Sequence, residues 1–112
     1  MYRMFLNGKL RDLRLTRTNL EYEGSITLDE DYLDRAGILP NEEVHVLNME
    51  TGSRLITYAI RGERGSGAVE LNGPAARLGM VGDRIMVISY VQLSPEEIKD
   101  HVRKIICVHP EG

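Results

Sequence analysis

Apolar residues recur along this chain in short period-2 runs broken by turn residues, the signature of many short strands. The pattern predicts strands over residues 2–6, 9–17, 20–28, 43–49, 54–60, 68–72 and 84–92. Turns such as Glu50-Thr51-Gly52-Ser53 and Arg64-Gly65-Ser66-Gly67 separate them. That density of short strands points to a β-barrel. Helical pattern is sparse. Asp29 caps a short helix through Ala36 that ends at Gly37, with Tyr32, Leu33 and Ala36 as its apolar face. Ser94-Pro95-Glu96-Glu97 combines a capping box with proline at the first helical position. Beyond it, Ile98, Val102 and Ile105 keep helical spacing, while "KIICVHP" reads equally as a last strand, and both readings stay open.

One predicted strand contains a contradiction. In residues 20–28, Leu20, Tyr22, Ile26 and Leu28 share one face, yet Gly24 and Ser25 sit in the middle. Glycine inside a strand gives up packing and backbone entropy, so it marks a bulge, a close backbone approach or an unusual dihedral. The plainer reading is a bulge. The sharper one is a peptide bond held in strain so that the Ser25 hydroxyl reacts with its own backbone.

Composition narrows the field. With 112 residues and 42% hydrophobic content, the chain is expected to form one domain, small enough that association helps its stability. A single cysteine, Cys107, excludes an intrachain disulfide framework, and a buried inert thiol is the default for it. No apolar run approaches the ~20 residues of a membrane helix, and Met1 leads into "YRMFLNGKL" without signal-peptide architecture, so a cytoplasmic, membrane-free protein is expected. The net charge of −3 offers no general field for nucleic acid. Residues 1–17 nevertheless carry Arg3, Lys9, Arg11, Arg14 and Arg17 against Asp12 alone, mostly a solvated face with room for a small anion. There is no P-loop and no dinucleotide fingerprint, and His45, His101 and His109 lack metal-ligand spacing.

The segment "ELNGPAARLGMVGD", residues 70–83, carries more chemistry. Asn72-Gly73 makes a turn, and Pro74 suits the first position of a short helix, leaving the Ala75 and Ala76 amides free. Free amides beside small side chains suit an anion, although a mere helix cap reads equally well from this stretch alone.

Taken in order, "YEGS" at 22–25, "AGILPNE" at 36–42, "GSRLITYAI" at 52–60, "ERGSG" at 63–67, "LNGPAA" at 71–76 and "GD" at 82–83 resemble the bacterial aspartate 1-decarboxylases, over roughly residues 1–93. These are the pyruvoyl-dependent enzymes that make β-alanine for pantothenate. The chain departs from some relatives at Leu47, where an aromatic occurs, and after Ser94. The resemblance implies a mainly β fold, a double-psi β-barrel with short helices, assembled as a homotetramer with active sites between subunits. It also implies an inactive precursor. Ser25 attacks the Gly24 carbonyl, and the chain becomes residues 1–24 and residues 25–112, the latter capped by a pyruvoyl group derived from Ser25. Glycine at 24 fits because a Cβ would obstruct the strained conformation. Whether a helper protein assists maturation stays open.

A pyruvoyl ketone condenses with the amine of L-aspartate as a Schiff base and accepts the electrons freed when the α-carboxylate leaves as CO₂. A cation on the departing carboxylate would stabilise the ground state more than the transition state. Arg54, with Lys9 as helper, is therefore assigned to the retained β-carboxylate. Strand alternation puts Tyr58 on the face of Arg54, with Ile56 between them; the resemblance makes Tyr58 the proton donor, where a satisfied core tyrosine is the plainer alternative. Thr57 then points to the opposite face, yet the resemblance places it against the Gly24 carbonyl, and a bulge or barrel curvature is needed to reconcile the two. The resemblance also assigns Asn72 to the pyruvoyl, Gly73, Ala75 and Ala76 to the substrate carboxylate, and Tyr22 to the pocket wall. Two rivals remain at this stage: an uncleaved barrel acting as a binding module, and a pyruvoyl decarboxylase of another acidic amino acid such as glutamate.

Overall fold

In the computed structural model, which describes residues 1–109, the chain runs β1 (Arg3–Arg14), β2 (Arg17–Asn19), β3 (Ile26–Asp29), α1 (Glu30–Ala36), β4 (Glu43–Asn48), β5 (Arg54–Gly62), β6 (Val69–Asn72), a 3₁₀ helix (Gly73–Leu78), β7 (Arg84–Leu93), α2 (Pro95–Ile98) and β8 (Lys104–Cys107). The strands expected over 43–49, 54–60, 68–72 and 84–92 are present, with ends shifted slightly. Those expected over 2–6 and 9–17 are not separate. β1 is continuous, and its pairing with β7 slips between Leu6 and Gly8 and again between Leu10 and Leu13, where Asp12 takes a φ of 59°. Such slips bend a strand without ending it.

The sheet joins distant parts of the chain. The strands lie in the order β2-β6-β3-β5-β4-β7-β1-β8, so β1 and β2 stand on opposite sides of the same rolled sheet. Only Leu15 and Thr16 separate them in sequence. Leu15 N–H donates to Asp83 O (2.9 Å), Thr16 N–H donates to Val69 O (2.8 Å), and Val69 N–H donates to the Thr16 hydroxyl (3.0 Å). One chain segment thus bonds both to the residue before β7 and to β6, linking strands that lie far apart in the sheet order. Parallel pairings of β2 with β6 and of β3 with β5 lie among antiparallel ones, and the fold is a double-psi β-barrel with short helices.

Inside, Leu10, Leu13, Ile26, Leu28, Val44, Ala59, Ile85 and Val87 are sealed from solvent. Each large apolar side chain so buried contributes ~1.5–3 kcal/mol. The tail is a strand: β8 runs parallel to β1 from Lys104 to Cys107, and Pro110 lies outside the described residues. Ser94 and Glu97 make the expected reciprocal capping box, but α2 stops after one turn. Cys107 is half-buried rather than buried, on β8 at the margin of the sheet. No helix among the described residues is long and apolar enough to cross a membrane.

α1 begins and ends where the sequence puts it, with Leu33 and Ala36 buried, Tyr32 packed on the core and Gly37 in the left-handed region at φ 69°. Its cap does more than cap. The buried Asp29 carboxylate accepts from Asp31 N–H (2.8 Å), Gly65 N–H (3.1 Å) and Gly67 N–H (2.8 Å), tying the 63–67 turn to the helix start. Arg64 on that turn pairs with Glu30, Asp31 and Asp34. Burial pushes the Asp29 carboxyl up, but the Gly67, Asp31 and Gly65 amides and the Arg64 charge outweigh it, so its folded value lies below the ordinary one. A lowered folded-state value means stability that is present above the unfolded value of ~3.9 and lost as pH falls through the folded one. Asp29→Ala should cost ~1–3 kcal/mol at neutral pH. The gap from wild type should narrow below pH ~4, as read by urea unfolding across pH; a constant gap would mean that charge plays no part.

Candidate active site

The anomaly at 20–28 is a turn, not a strand. Leu20 and Tyr22 are exposed, and β3 starts only at Ile26. Two successive residues with positive φ break the extended path: Gly24 at 140° and Ser25 at 91°. The second is costly for any residue with a Cβ, on the order of 1–3 kcal/mol, and persists only where the surroundings enforce it. Gly24 is a dihedral requirement rather than a steric one, since a Cβ built there meets nothing within 4 Å.

Asn72 does the enforcing. Its N–H donates to the Ser25 carbonyl (3.0 Å), and its side-chain Nδ2 donates to Ser25 Oγ (3.1 Å) and to Thr27 Oγ1 (2.9 Å). Asn72 occupies the N-cap position of the 3₁₀ helix, where an asparagine ordinarily accepts from the following turn, yet its side chain makes no cap bond. That amide is committed to Ser25 instead. Ser25 and Asn72 are each 2% exposed.

Beside them opens a cavity of about 340 Å³, whose walls include Gly24, Ser25, Thr57, Asn72 and Ala75. Leu55, Ile56, Pro74 and Leu78 complete it with apolar surface. Of the residues expected at the site, the fold therefore gathers Gly24, Ser25, Thr57, Asn72 and Ala75 around one cavity, with Gly73 packed behind. Ala76 and Tyr22 do not line it. Gly73 has φ 63°, and a Cβ there would lie 2.7 Å from Tyr22 O and 2.8 Å from Gly24 N. The 22–24 backbone thus rests directly on Gly73.

The rest of the expected set lies on the outer face of the sheet. Exposure alternates along β5, with Arg54, Ile56 and Tyr58 outward and Ala59 buried. β5 keeps unbroken register with β4 and with β3, so no bulge turns Thr57 toward Arg54 and Tyr58. The pairing of Ile26 with Ala59 puts Tyr58 beside the start of β3. Arg54 Nη1 is 2.9 Å from His45 Nδ1, a partner on β4 that spacing alone did not pick out. Lys9 lies further off. The pairs Lys9–Ile88, Ile88–His45 and His45–Ile56 put it three strands from β5, ~14 Å at ordinary strand spacing, by a different cavity with Arg11, Arg84 and Cys107. Thr27 was also missed: it alternates with Ile26 and Leu28 like any strand threonine, and only the fold brings Asn72 to it.

Gly73 and Gly24 separate crowding from dihedral cost. In a Ser25→Ala background, Gly73→Ala should destabilise by ~2–4 kcal/mol, because a left-handed residue also collides with backbone. Gly24→Ala should cost only the dihedral part, ~1–2 kcal/mol. Urea unfolding measures both, and equal costs would show that the 22–24 segment yields freely.

Known proteins share this arrangement of sequence. The family model described as Aspartate decarboxylase matches residues 1–112. A protein of Acaryochloris marina named aspartate 1-decarboxylase is 52% identical over 112 residues, spanning 100% of this chain and 86% of that protein. Proteins of the same name from Exiguobacterium sibiricum and Bacillus subtilis are 50% and 47% identical, each over 100% of this chain and 88% of their own length. The match spans the turn at Ser25, the cavity at Asn72 and the outer strand bearing Arg54 and Tyr58 alike, and the chain belongs to the aspartate decarboxylase family.

Proposed function

We propose that this chain is a cytoplasmic decarboxylase that converts L-aspartate to β-alanine and CO₂, after its own Gly24–Ser25 bond is cut and Ser25 becomes a pyruvoyl group. The observation that carries the reading is a buried Ser25 hydroxyl on positive-φ backbone, held by Asn72 at the wall of a cavity, in a chain of this family. In maturation, Ser25 Oγ adds to the Gly24 carbonyl carbon and the C–N bond breaks, leaving an ester and a free amine. Loss of the Ser25 Cα proton then expels the Gly24 carboxylate, and one water hydrolyses the resulting dehydroalanine with release of ammonia. The products are residues 1–24 and 25–112, held together by strand pairing.

The residues present fit a ketone at position 25, since Asn72 Nδ2 is a donor aimed there and Thr57 lines the same cavity. When formed, that ketone supplies an electron sink for α-decarboxylation of an amino acid joined to it through its amine. Asn72 holds the oxygen at position 25. Arg54, helped by Lys9, takes the substrate's β-carboxylate as a planar fork, and Tyr58 returns a proton to the α-carbon. Arg54 and Lys9 face outward while Ser25 faces the cavity, and this division supports a site completed by a second copy in a homotetramer.

Intact mass of denatured protein should show two chains for wild type and one uncut chain for Ser25→Ala, which should release no CO₂; turnover by that variant would overturn the reading. Arg54→Ala should still cleave. It should lower the preference for aspartate over alanine by ~10²-fold or more, because the β-carboxylate loses its fork. Co-expressing Arg54→Ala with Ser25→Ala should restore up to about a quarter of wild-type sites if the two groups come from different copies. No recovery would put Arg54 and Ser25 of one copy in the same site.

A further inference from the structure

We propose that Thr27 is a positioning residue for Asn72, and that Gly62 sets the rotamer in which Thr27 does this. The proposal rests on the reading of Ser25 as the self-cleaving residue. A carboxamide nitrogen has two hydrogens, and the acceptors of Asn72 Nδ2 are Ser25 Oγ at 3.1 Å and Thr27 Oγ1 at 2.9 Å. The shorter bond goes to the residue that undergoes no chemistry. With one hydrogen anchored on Thr27, the other is directed at position 25, and the Ser25 oxygen is met by a donor, so its own proton points elsewhere. Cleavage removes Ser25 Oγ from residue 25, since that oxygen leaves on the Gly24 carboxylate. The Thr27 bond survives this change. It keeps the same N–H aimed at position 25 before and after maturation, which an asparagine held by Ser25 alone would not do.

Thr27 is itself constrained. It sits in β3 between Ile60 on β5 and Glu70 on β6. A Cβ built on Gly62 would lie 3.1 Å from Thr27 Cγ2 and 3.0 Å from Ala68 Cβ, so the Thr27 methyl is seated over the bare Cα of Gly62. A threonine has few χ1 choices, and seating the methyl there turns the hydroxyl toward Asn72. Strand propensity alone would be served as well by valine. What distinguishes threonine is the bond to a buried amide that has given up its helix cap.

The test compares chain-cleavage rate by intact mass, then kcat and KM for aspartate in the mature protein. Thr27→Val keeps the shape and removes the hydroxyl. It should slow cleavage and lower kcat by about tenfold or more, with KM within about twofold and the thermal midpoint little changed. Thr27→Ser, which restores the hydroxyl, should stay within about threefold of wild type in both rates. Gly62→Ala should reproduce the Thr27→Val defect by pushing on Cγ2, and adding Thr27→Ser should suppress it in part, because the crowded methyl is gone. Wild-type cleavage and turnover in a folded Thr27→Val would overturn the proposal. If that variant does not fold, lack of suppression in the Gly62→Ala, Thr27→Ser pair overturns it. An uncut wild-type chain is a different result, for it would sink the reading of Ser25 and not the placement of Asn72.

Discussion

The structure turns on a short contest between backbone strain and hydrogen bonding at residues 24–25. Left to itself, a chain leaves positive φ at a non-glycine residue, at a gain on the order of 1–3 kcal/mol. Ser25 stays there because Asn72 binds it twice, by main-chain N–H at its carbonyl and by Nδ2 at its hydroxyl, while Ile26 and Leu28 just beyond are locked into the core. Neutral bonds of this kind are each worth ~0.5–1.5 kcal/mol net, so two of them are of the same size as the strain. The balance is close. A turn so held keeps its geometry without deep over-stabilisation, which suits a peptide bond that is proposed to break.

The barrel supplies the rigidity that this balance needs. Asn72 ends β6, and β6 is fixed on one side by β2 and on the other by β3, whose first residue follows Ser25. The β1–β2 segment, bonded to Val69 and to Asp83, thus also fixes the strand that ends in Asn72. Gly73 then lets the 22–24 backbone lie against the chain with no side chain between them. Strand pairing and one bare Cα act on the same two residues, and a loop alone would not hold them so.

Much of this was legible in the sequence, and the misses share a cause. Local chemistry announced itself: Asp29 with Gly37 framed α1, Ser94 with Glu97 framed α2, and Gly24-Ser25 declared an irregularity inside an alternating run. The resemblance then joined Ser25 to Asn72, as the fold does. What failed was anything set by distant partners. Residues 2–17 split into two expected strands at Asn7-Gly8, yet β7 pairs across the slip there and keeps β1 whole. Leu20 and Tyr22 fitted a strand face by period alone, but no neighbouring strand among the described residues receives them. Thr27, His45 and the three-amide grip of Asp29 on the 63–67 turn depend on pairings more than a few residues apart, which one chain's periodicity does not encode.

β5 shows why a barrel of this size would divide its chemistry between copies. Its inward residues, such as Ala59, are committed to the core, and Thr57 at the cavity is one of few inward positions left for a polar group. A charged side chain placed inside would be desolvated without a partner, at a cost of several kcal/mol. Arg54 therefore belongs on the outer face, beside Ile56 at 61% exposure and Tyr58 at 39%. An outward strand that mixes an arginine with large apolar groups is poorly served by water alone, and a second copy covering it would bury Ile56 and place Arg54 against a substrate in one step. On the proposed reading, the inner face would hold the group made from the chain, the outer face would hold the group that reads the substrate, and assembly would bring the two within reach of one molecule.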